Sequence, residues 1–232
     1  MEYELPSGKP PVAGVTVSSV LRVAWALLIA QYTAEDDVIF GGVHAARNVD
    51  TPVRASFEPE HQVTKLLSVF QEQATAMMPF EFLGWTEIQS LNADTTATCN
   101  FNSLFVVQPG VNNKAQPDGF TYAEVNHDMD KFYIHPLNVE CEFFDEQPVK
   151  TTVNFDSKVM SPKQTERMLH QLESILHQLW NADEFLKIKD VQGSCPEDLL
   201  EIIKWNTKHT PLSKNIILLA QEQQKDLSQA SS

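Results

Sequence analysis

The stretch from Thr16 to Tyr32, TVSSVLRVAWALLIAQY, restricts the fold of this chain more than any other. Helix formers dominate it, Val20, Ala24, Leu27 and Leu28 share one stripe, and Val23 and Ala30 lie elsewhere on the cylinder. A helix that is apolar on nearly every side must be covered on nearly every side, so it belongs inside a larger core. An acidic turn follows at Glu35-Asp36-Asp37, and then Val38-Ile39-Phe40-Gly41-Gly42-Val43, a β-branched and aromatic run that reads as an inner strand. A buried helix beside an inner strand predicts an α/β class with a mixed sheet and flanking helices.

The remaining periods fit that class. Pro52 to Phe57 alternates as a second strand, and Val63, Leu66, Leu67, Phe70, Ala74, Met77 and Met78 mark an amphipathic helix from His61 that ends before Pro79. A brief helix is predicted over Phe82 to Leu91 and a buried strand over Asn102 to Gln108. Strands follow at Tyr122 to Val125, Phe132 to Pro136, Val139 to Phe144 and Val149 to Phe155. Ser161 and Gln164 have capping-box spacing, Pro162 stands at the first helical position, and Met168 through Trp180 supply one apolar face. A second capping pair, Ser194 with Glu197, opens a short helix over Leu199 to Ile203. Residues 1–14, with three prolines and two glycines, read as a flexible lead-in without an element of their own. The tail from Gln221 to Ser232 reads as frayed.

Composition narrows the partners. The 232 residues carry 31 acidic and 17 basic side chains, a formal charge of −14, which repels a phosphate backbone and argues against nucleic acid. The most apolar run, Val23 to Ala30, is far shorter than the roughly 20 residues a bilayer requires, and the amino-terminal residues do not read as a secretory signal. With Cys99, Cys141 and Cys195 widely spaced and odd in number, the expectation is a cytoplasmic chain whose cysteines are buried small hydrophobes.

Motifs for chemistry are sparse. His170 and His177 stand two helical turns apart, about 10.5 Å, too far to share a metal. His127-Asp128-Met129-Asp130 reads as a solvated turn, and Gly41-Gly42 as a place of close backbone packing, since no phosphate-loop pattern accompanies it. Arg47 and Arg54 beside strands have two readings, as carboxylate ligands or as ordinary ion pairs.

Several segments, taken in order, resemble the condensation domains of fungal nonribosomal peptide synthetases. They are SSVLRVAWALLIAQYTAEDDVIFGGVHAARN, TPVRASF, QEQATAMMPFEFLGWTEI, CNFNSLFVVQP and VNFDSKVMSPKQTERMLHQLESILHQL. SCPEDLLEIIKWNTKHTP with IILLAQEQQ is similar to the linker into an adenylation domain. The resemblance spans about Val15 to Gln223.

It implies a chloramphenicol-acetyltransferase-like subdomain, the carboxyl-terminal, acceptor-side half of a condensation domain over residues 15–190, with linker and tail over 191–232. It also implies carrier domains bearing phosphopantetheine, an adenylation domain and a missing donor-side half as partners, with no cofactor bound directly. The family-motif residues would be Arg47, Asn48, Pro52, Arg54, Pro79, Phe80, Glu81, Trp205 and Asn206, lining a substrate tunnel or holding the fold. Phe80 is expected as an anchor and Glu81 as a helix-start cap.

Two departures weigh on activity. The family's His-His-x-x-x-Asp-Gly motif belongs to the preceding half, and no adjacent histidine pair occurs in this sequence. Only Val49-Asp50 stands between Asn48 and Thr51, where the family has a longer loop. The expectation is a fragment or remnant that is inactive alone, with a non-catalytic binding or scaffolding module as the alternative. A half-domain is also expected to expose apolar surface near Val38–Val43 and Leu104–Val107 and to self-associate through it.

Overall fold

The computed structural model describes residues 1–44, 49–80, 83, 85–110, 135–145, 147–195, 198, 200, 203 and 204. The chain divides into two units, Met1–Gly193 and Ser194–Ser232. Of the second unit, residues 198, 200, 203 and 204 are helical, in and directly beside the short helix expected over Leu199 to Ile203.

The first unit is built on six strands: β1 (Glu2–Leu5), β2 (Asp37–His44), β3 (Val49–Ser56), β4 (Ser103–Pro109), β5 (Leu137–Phe143) and β6 (Val149–Phe155). They form one sheet in the order β1-β6-β5-β4-β2-β3. β2 with β4 and β4 with β5 are parallel pairs, while β1 with β6, β5 with β6 and β2 with β3 are antiparallel. The mixed sheet is therefore as expected. Its central positions fall to β4 and β5, whose inward residues Phe105, Val107, Val139 and Cys141 are buried.

Three helices cover one face: α1 (Val17–Thr33), α2 (Val63–Met77) and α5 (Pro162–Trp180). α1 packs against both other helices and against β2 and β4, so its residues from Ser19 to Leu28 are all buried, as its uniformly apolar sequence requires. Trp25 stacks on Phe105 with ring centroids 5.0 Å apart, and Phe40 meets Phe105 edge-on at 6.4 Å. Thr16 caps α1 by accepting from Ser19 N. Gln71 Oε1 of α2 accepts from Thr16 N, Thr16 Oγ1 and Ser19 Oγ, at 2.8 to 3.0 Å, which pins the start of α1 to α2. α5 begins with the full capping box: Ser161 Oγ accepts from Gln164 N, and Gln164 Oε1 accepts from Ser161 N at 2.9 Å. Two short helices, α3 (Trp85–Gln89) and α4 (Ala93–Thr98), follow a 3-10 turn at Met78–Phe80.

One expectation changes. The lead-in contains a strand, because β1 pairs with β6 in register from Glu2↔Thr152 to Leu5↔Val149. Local composition hides this pairing, whose partner lies about 150 residues away. Trp180 Nε1 donates to Pro6 O at 3.1 Å, the Tyr3 hydroxyl donates to Glu173, and Leu5 is fully buried. The strands Val38–Val43 and Leu104–Val107, expected near an exposed apolar face, have two unlike faces. Val38, Phe40, Phe105 and Val107 lie under the helices, and their opposite-facing neighbours Ile39, Leu104 and Val106 are half-buried. Among the described residues, large exposed apolar side chains stand on the α2 side at Val69, Met78 and Phe80, and at Val159 and Phe185. Strands Tyr122–Val125 and most of Phe132–Pro136 fall outside the described residues. His135 and Pro136 form a bend. Among the described residues no helix is long and apolar enough to cross a membrane.

A carboxyl-terminal strap closes the helical layer. Val63 N donates to Leu186 O at 2.9 Å, Ile188 N to His61 O at 3.0 Å and Lys189 N to Pro59 O at 3.0 Å. Lys187 and Lys189 both reach Glu60, at 2.8 and 2.7 Å, and their hydrogen bonds hold its carboxyl down at about 2 against an ordinary 4.5. A depressed carboxylate stabilises the fold above its unfolded value and loses that contribution as pH falls through its folded one. Glu60→Gln is therefore expected to lower the melting temperature slightly at pH 6 and low salt, with the difference from wild type vanishing between pH 4.5 and 2. A pH-independent difference in thermal melts would contradict it. At the other end of the helical layer, Ala34 caps α1 in the left-handed region at φ 56°. Ala34→Gly is expected to stabilise the chain by about 1 kcal/mol in urea unfolding, because the Cβ penalty of that conformation disappears.

Candidate functional site

β1, β5, β4 and β2 run in one direction, so the carboxyl ends of β2, β4 and β5 gather at one edge of the sheet. In open sheets of this kind, ligand-binding groups collect at the carboxyl ends of the parallel strands. That edge holds a charged side chain from the apolar helix. Arg22, only 9 % exposed, donates from Nη2 to Val43 O at 3.3 Å, and Thr51 Oγ1 donates to Gly42 O at 3.2 Å. A buried guanidinium is costly unless hydrogen bonds fix it, and here Nη2 is held by the end of β2. Such a group holds or polarises a carbonyl or carboxylate. It does not serve as a base near neutral pH.

The face of the sheet opposite the helices carries two further clusters. In the first, the missing Cβ of Gly41 makes room for Phe101, because a Cβ there would stand 2.2 Å from Phe101 Cε2. Phe101 in turn stacks on His135 with centroids 4.8 Å apart. His135 Nδ1 lies 3.2 Å from Phe101 O, and Asn138 Nδ2 donates to His135 O at 2.8 Å, so the approaches to β4 and β5 are tied together. In the second cluster, Gln108 Nε2 donates to Glu140 Oε1 at 2.7 Å and to Glu142 Oε1 at 3.3 Å. Burial, reinforced by the Glu142 charge and opposed by Lys150, pushes the Glu140 carboxyl up. The cysteines offer no reactive thiol. All three are buried and outside any disulfide bond, and burial pushes Cys141 up to about 12.

No protein-family model matches the chain. Similarity to known proteins is nevertheless extensive. The chain is 31% identical over 224 residues to the nonribosomal peptide synthetase TES of Alternaria alternata, covering 90% of this chain and 4% of that protein. It is 32% identical over 248 residues to the nonribosomal peptide synthetase ungA' of Aspergillus campestris, covering 97% and 3%. The chain belongs to the nonribosomal peptide synthetase family. Its fold is that of a condensation domain: it matches the starter condensation domain of rhizomide synthetase RzmA with a TM-score of 0.59 at 11% identity, covering 84% of this chain and 47% of the other. The chain thus spans about half of that condensation-domain chain and a small part of the synthetases.

Within this condensation-domain fold the expected motif residues do not form one cluster. Arg47, Asn48, Glu81, Trp205 and Asn206 lie outside the described residues. Pro52 is half-buried on the edge strand β3 opposite Gly41, a position where a residue lacking an N–H is tolerated. Arg54 is exposed and grips Asp37 through Nε at 2.9 and 3.1 Å and through Nη2, and these hydrogen bonds lower the Asp37 carboxyl. Of its two readings, the ion pair is the one observed. Pro79 sits in the 3-10 turn, and Phe80 is 62% exposed rather than an anchor, because the turn after Met77 carries it away from the core. Arg22 was not singled out by sequence. Its only signal is a lone arginine inside an otherwise apolar helix.

Gly41 gives the sharpest test of this packing. Gly41→Ala is expected to destabilise the chain by about 1–3 kcal/mol through overpacking against Phe101. In a double-mutant cycle with Phe101→Leu the two costs should be strongly non-additive. Additive costs in denaturant unfolding would show that the ring does not rest on the Gly41 backbone.

Proposed function

We propose that this chain is the carboxyl-terminal, acceptor-side half of a condensation domain, serving peptide-bond formation in secondary-metabolite biosynthesis. The observation that carries the reading is the combination of about 30% identity to fungal synthetases over nearly the whole chain with a match to only 47% of a condensation-domain structure. In this reading a donor-side half completes the domain. Two carrier domains deliver aminoacyl groups as thioesters on phosphopantetheine arms, and an adenylation domain supplies the activated amino acid upstream of the carriers. The acceptor amine attacks the donor carbonyl, the C–N bond forms, and the thiolate of the donor arm leaves with the proton lost by the amine.

Such chemistry gains much of its rate from holding two tethered reactants in line. The chain's own contribution would be positioning. The Arg22 guanidinium at the carboxyl end of β2 suits a carbonyl oxygen of an incoming thioester or amide. No residue of this chain is assigned as catalytic, and the sequence holds no adjacent histidine pair. A second reading, a non-catalytic module that only contacts carrier or adenylation domains, is favoured by the short β2–β3 connection, in which His44 already pairs with Val49.

The deciding experiment mixes the purified chain with a loaded donor carrier and a loaded acceptor carrier, with and without a donor-side half from a homologous synthetase. Intact-protein mass spectrometry reads the dipeptidyl thioester. The expected result is no product from the chain alone, product once the donor-side half is present, and at least tenfold less product with Arg22→Met. Carrier binding without product in either mixture would favour the non-catalytic module. Product from the chain alone would overturn both readings.

A further inference from the structure

The two borders of the sheet are finished differently. At β3, Phe57 N donates to Asp36 O, and alternation from that bond turns Pro52 and Arg54 outward. Pro52 has no N–H to offer there, and Gln73 Nε2 of α2 donates to Arg54 O at 3.1 Å, so this border is blunted. β1 forms the other border. Met1 and Val153 exchange both backbone hydrogen bonds at 2.8 Å, and alternation turns Tyr3 and Leu5 toward β6 as well. The N–H and C=O groups of Glu2 and Glu4 therefore point away from the sheet, and among the described residues no strand meets them.

Side chains divide in the same way. Leu5 is buried and the Tyr3 hydroxyl donates to Glu173 of α5, so Glu2 and Glu4 rise from the face opposite the helices, where both are exposed. Register sets them beside Thr152 and Lys150 of β6, and sets Glu140 and Glu142 of β5 beside the same two residues. Four carboxylates thus share this face with one ammonium. Next to them a cavity of about 480 Å³ opens between β1 and the β5–β6 connection, walled by Glu2, Glu4, Lys150, Phe144, Gln147 and Pro148. A long cationic side chain suits such a recess, its stem lying on Phe144 and Pro148 and its head staying with the carboxylates.

A second copy of β1 does not suit this border. Any register that keeps the two faces matched sets Glu against Glu across the new pair, and like charges directly opposite destabilise a sheet. We propose that the outer edge of β1 takes up an extended segment of a partner protein as a further strand, one that carries Lys or Arg at alternate positions opposite Glu2 and Glu4. Backbone hydrogen bonds to Glu2 and Glu4 supply the pairing, and the alternating cations select the partner. The site lies at the other end of the strand order from β2 and holds whether or not the chain takes part in peptide-bond formation.

The test titrates the full chain into a fluorescein-labelled peptide of alternating lysine and valine at low salt, read by fluorescence anisotropy. Companion peptides replace lysine by glutamate, or carry backbone N-methyl groups on the lysines alone or on the valines alone. Saturable binding of the lysine peptide is expected, with the glutamate peptide at least tenfold weaker. One methylated form blocks the bonding edge and should lose at least tenfold, while the other turns its methyl groups to solvent and keeps most of the affinity. Glu4→Pro removes an outward N–H without touching the ladder to β6, and should weaken binding about fivefold with melting unchanged. Should that variant fail to fold, the exposed double change Glu2→Lys with Glu4→Lys is expected to reverse the preference toward the glutamate peptide. The same charge change on the helices, Glu72→Lys with Glu166→Lys, should alter binding less than twofold. Absence of saturable binding, or equal binding by both methylated forms, would overturn the site. So would a dimer of the chain in sedimentation that Glu4→Pro dissociates, since a second copy would then hold the edge.

Discussion

The stack of Trp25 on Phe105 joins the two layers of this molecule. Phe105 occupies the centre of the sheet and Trp25 the middle of α1, so their 5.0 Å contact sets the distance between helix and sheet. α1 can then bury residues on every side: toward β2 and β4 below, α5 on one flank and α2 on the other. The apolar girth of α1, a liability in water, becomes the frame on which the amphipathic helices α2 and α5 each need to bury only one face.

That frame gives the sheet two different ends. At the carboxyl ends of the parallel strands, α1 places a buried guanidinium against β2. At the amino ends, α1 and α5 leave an apolar cavity floored by the indole. One helix thus furnishes both a buried cation and a neutral recess. The face opposite the helices is polar at β5 and β6 and becomes apolar toward β2, where Gly41 lets Phe101 lie on the backbone.

Legibility in the sequence followed the range of the forces involved. β6 and the start of α5 were readable to the residue, because alternation and a capping box are local signals. α1 was readable within one residue for the same reason. α4 escaped notice: ADTTAT has almost no apolar period, and its helix rests on a reciprocal Asn92–Thr95 cap. β1 escaped because its hydrogen bonds go to residues far along the chain. The close packing at Gly41-Gly42 was legible, since a glycine pair in a strand signals approach by another group. Arg22 was not, because a single cation in a buried helix gains meaning only from the strand end it meets. The family resemblance was carried by motifs spread over nearly the whole chain, which is why it survives where several individual motif residues serve packing or ion pairing.

The pairing of β1 with β6 also sets an order of events during synthesis. Glu2–Leu5 leave the ribosome well before their partners Val149–Phe155, which are translated roughly 150 residues later, about 7–30 s at ordinary elongation rates. Over that interval the leading strand has no edge to join, while β2 and β3 can already close their short hairpin. The last step of sheet assembly therefore adds the earliest-made of these six strands, and a nascent chain halted before β6 would present the sheet with β5 as its unpaired border.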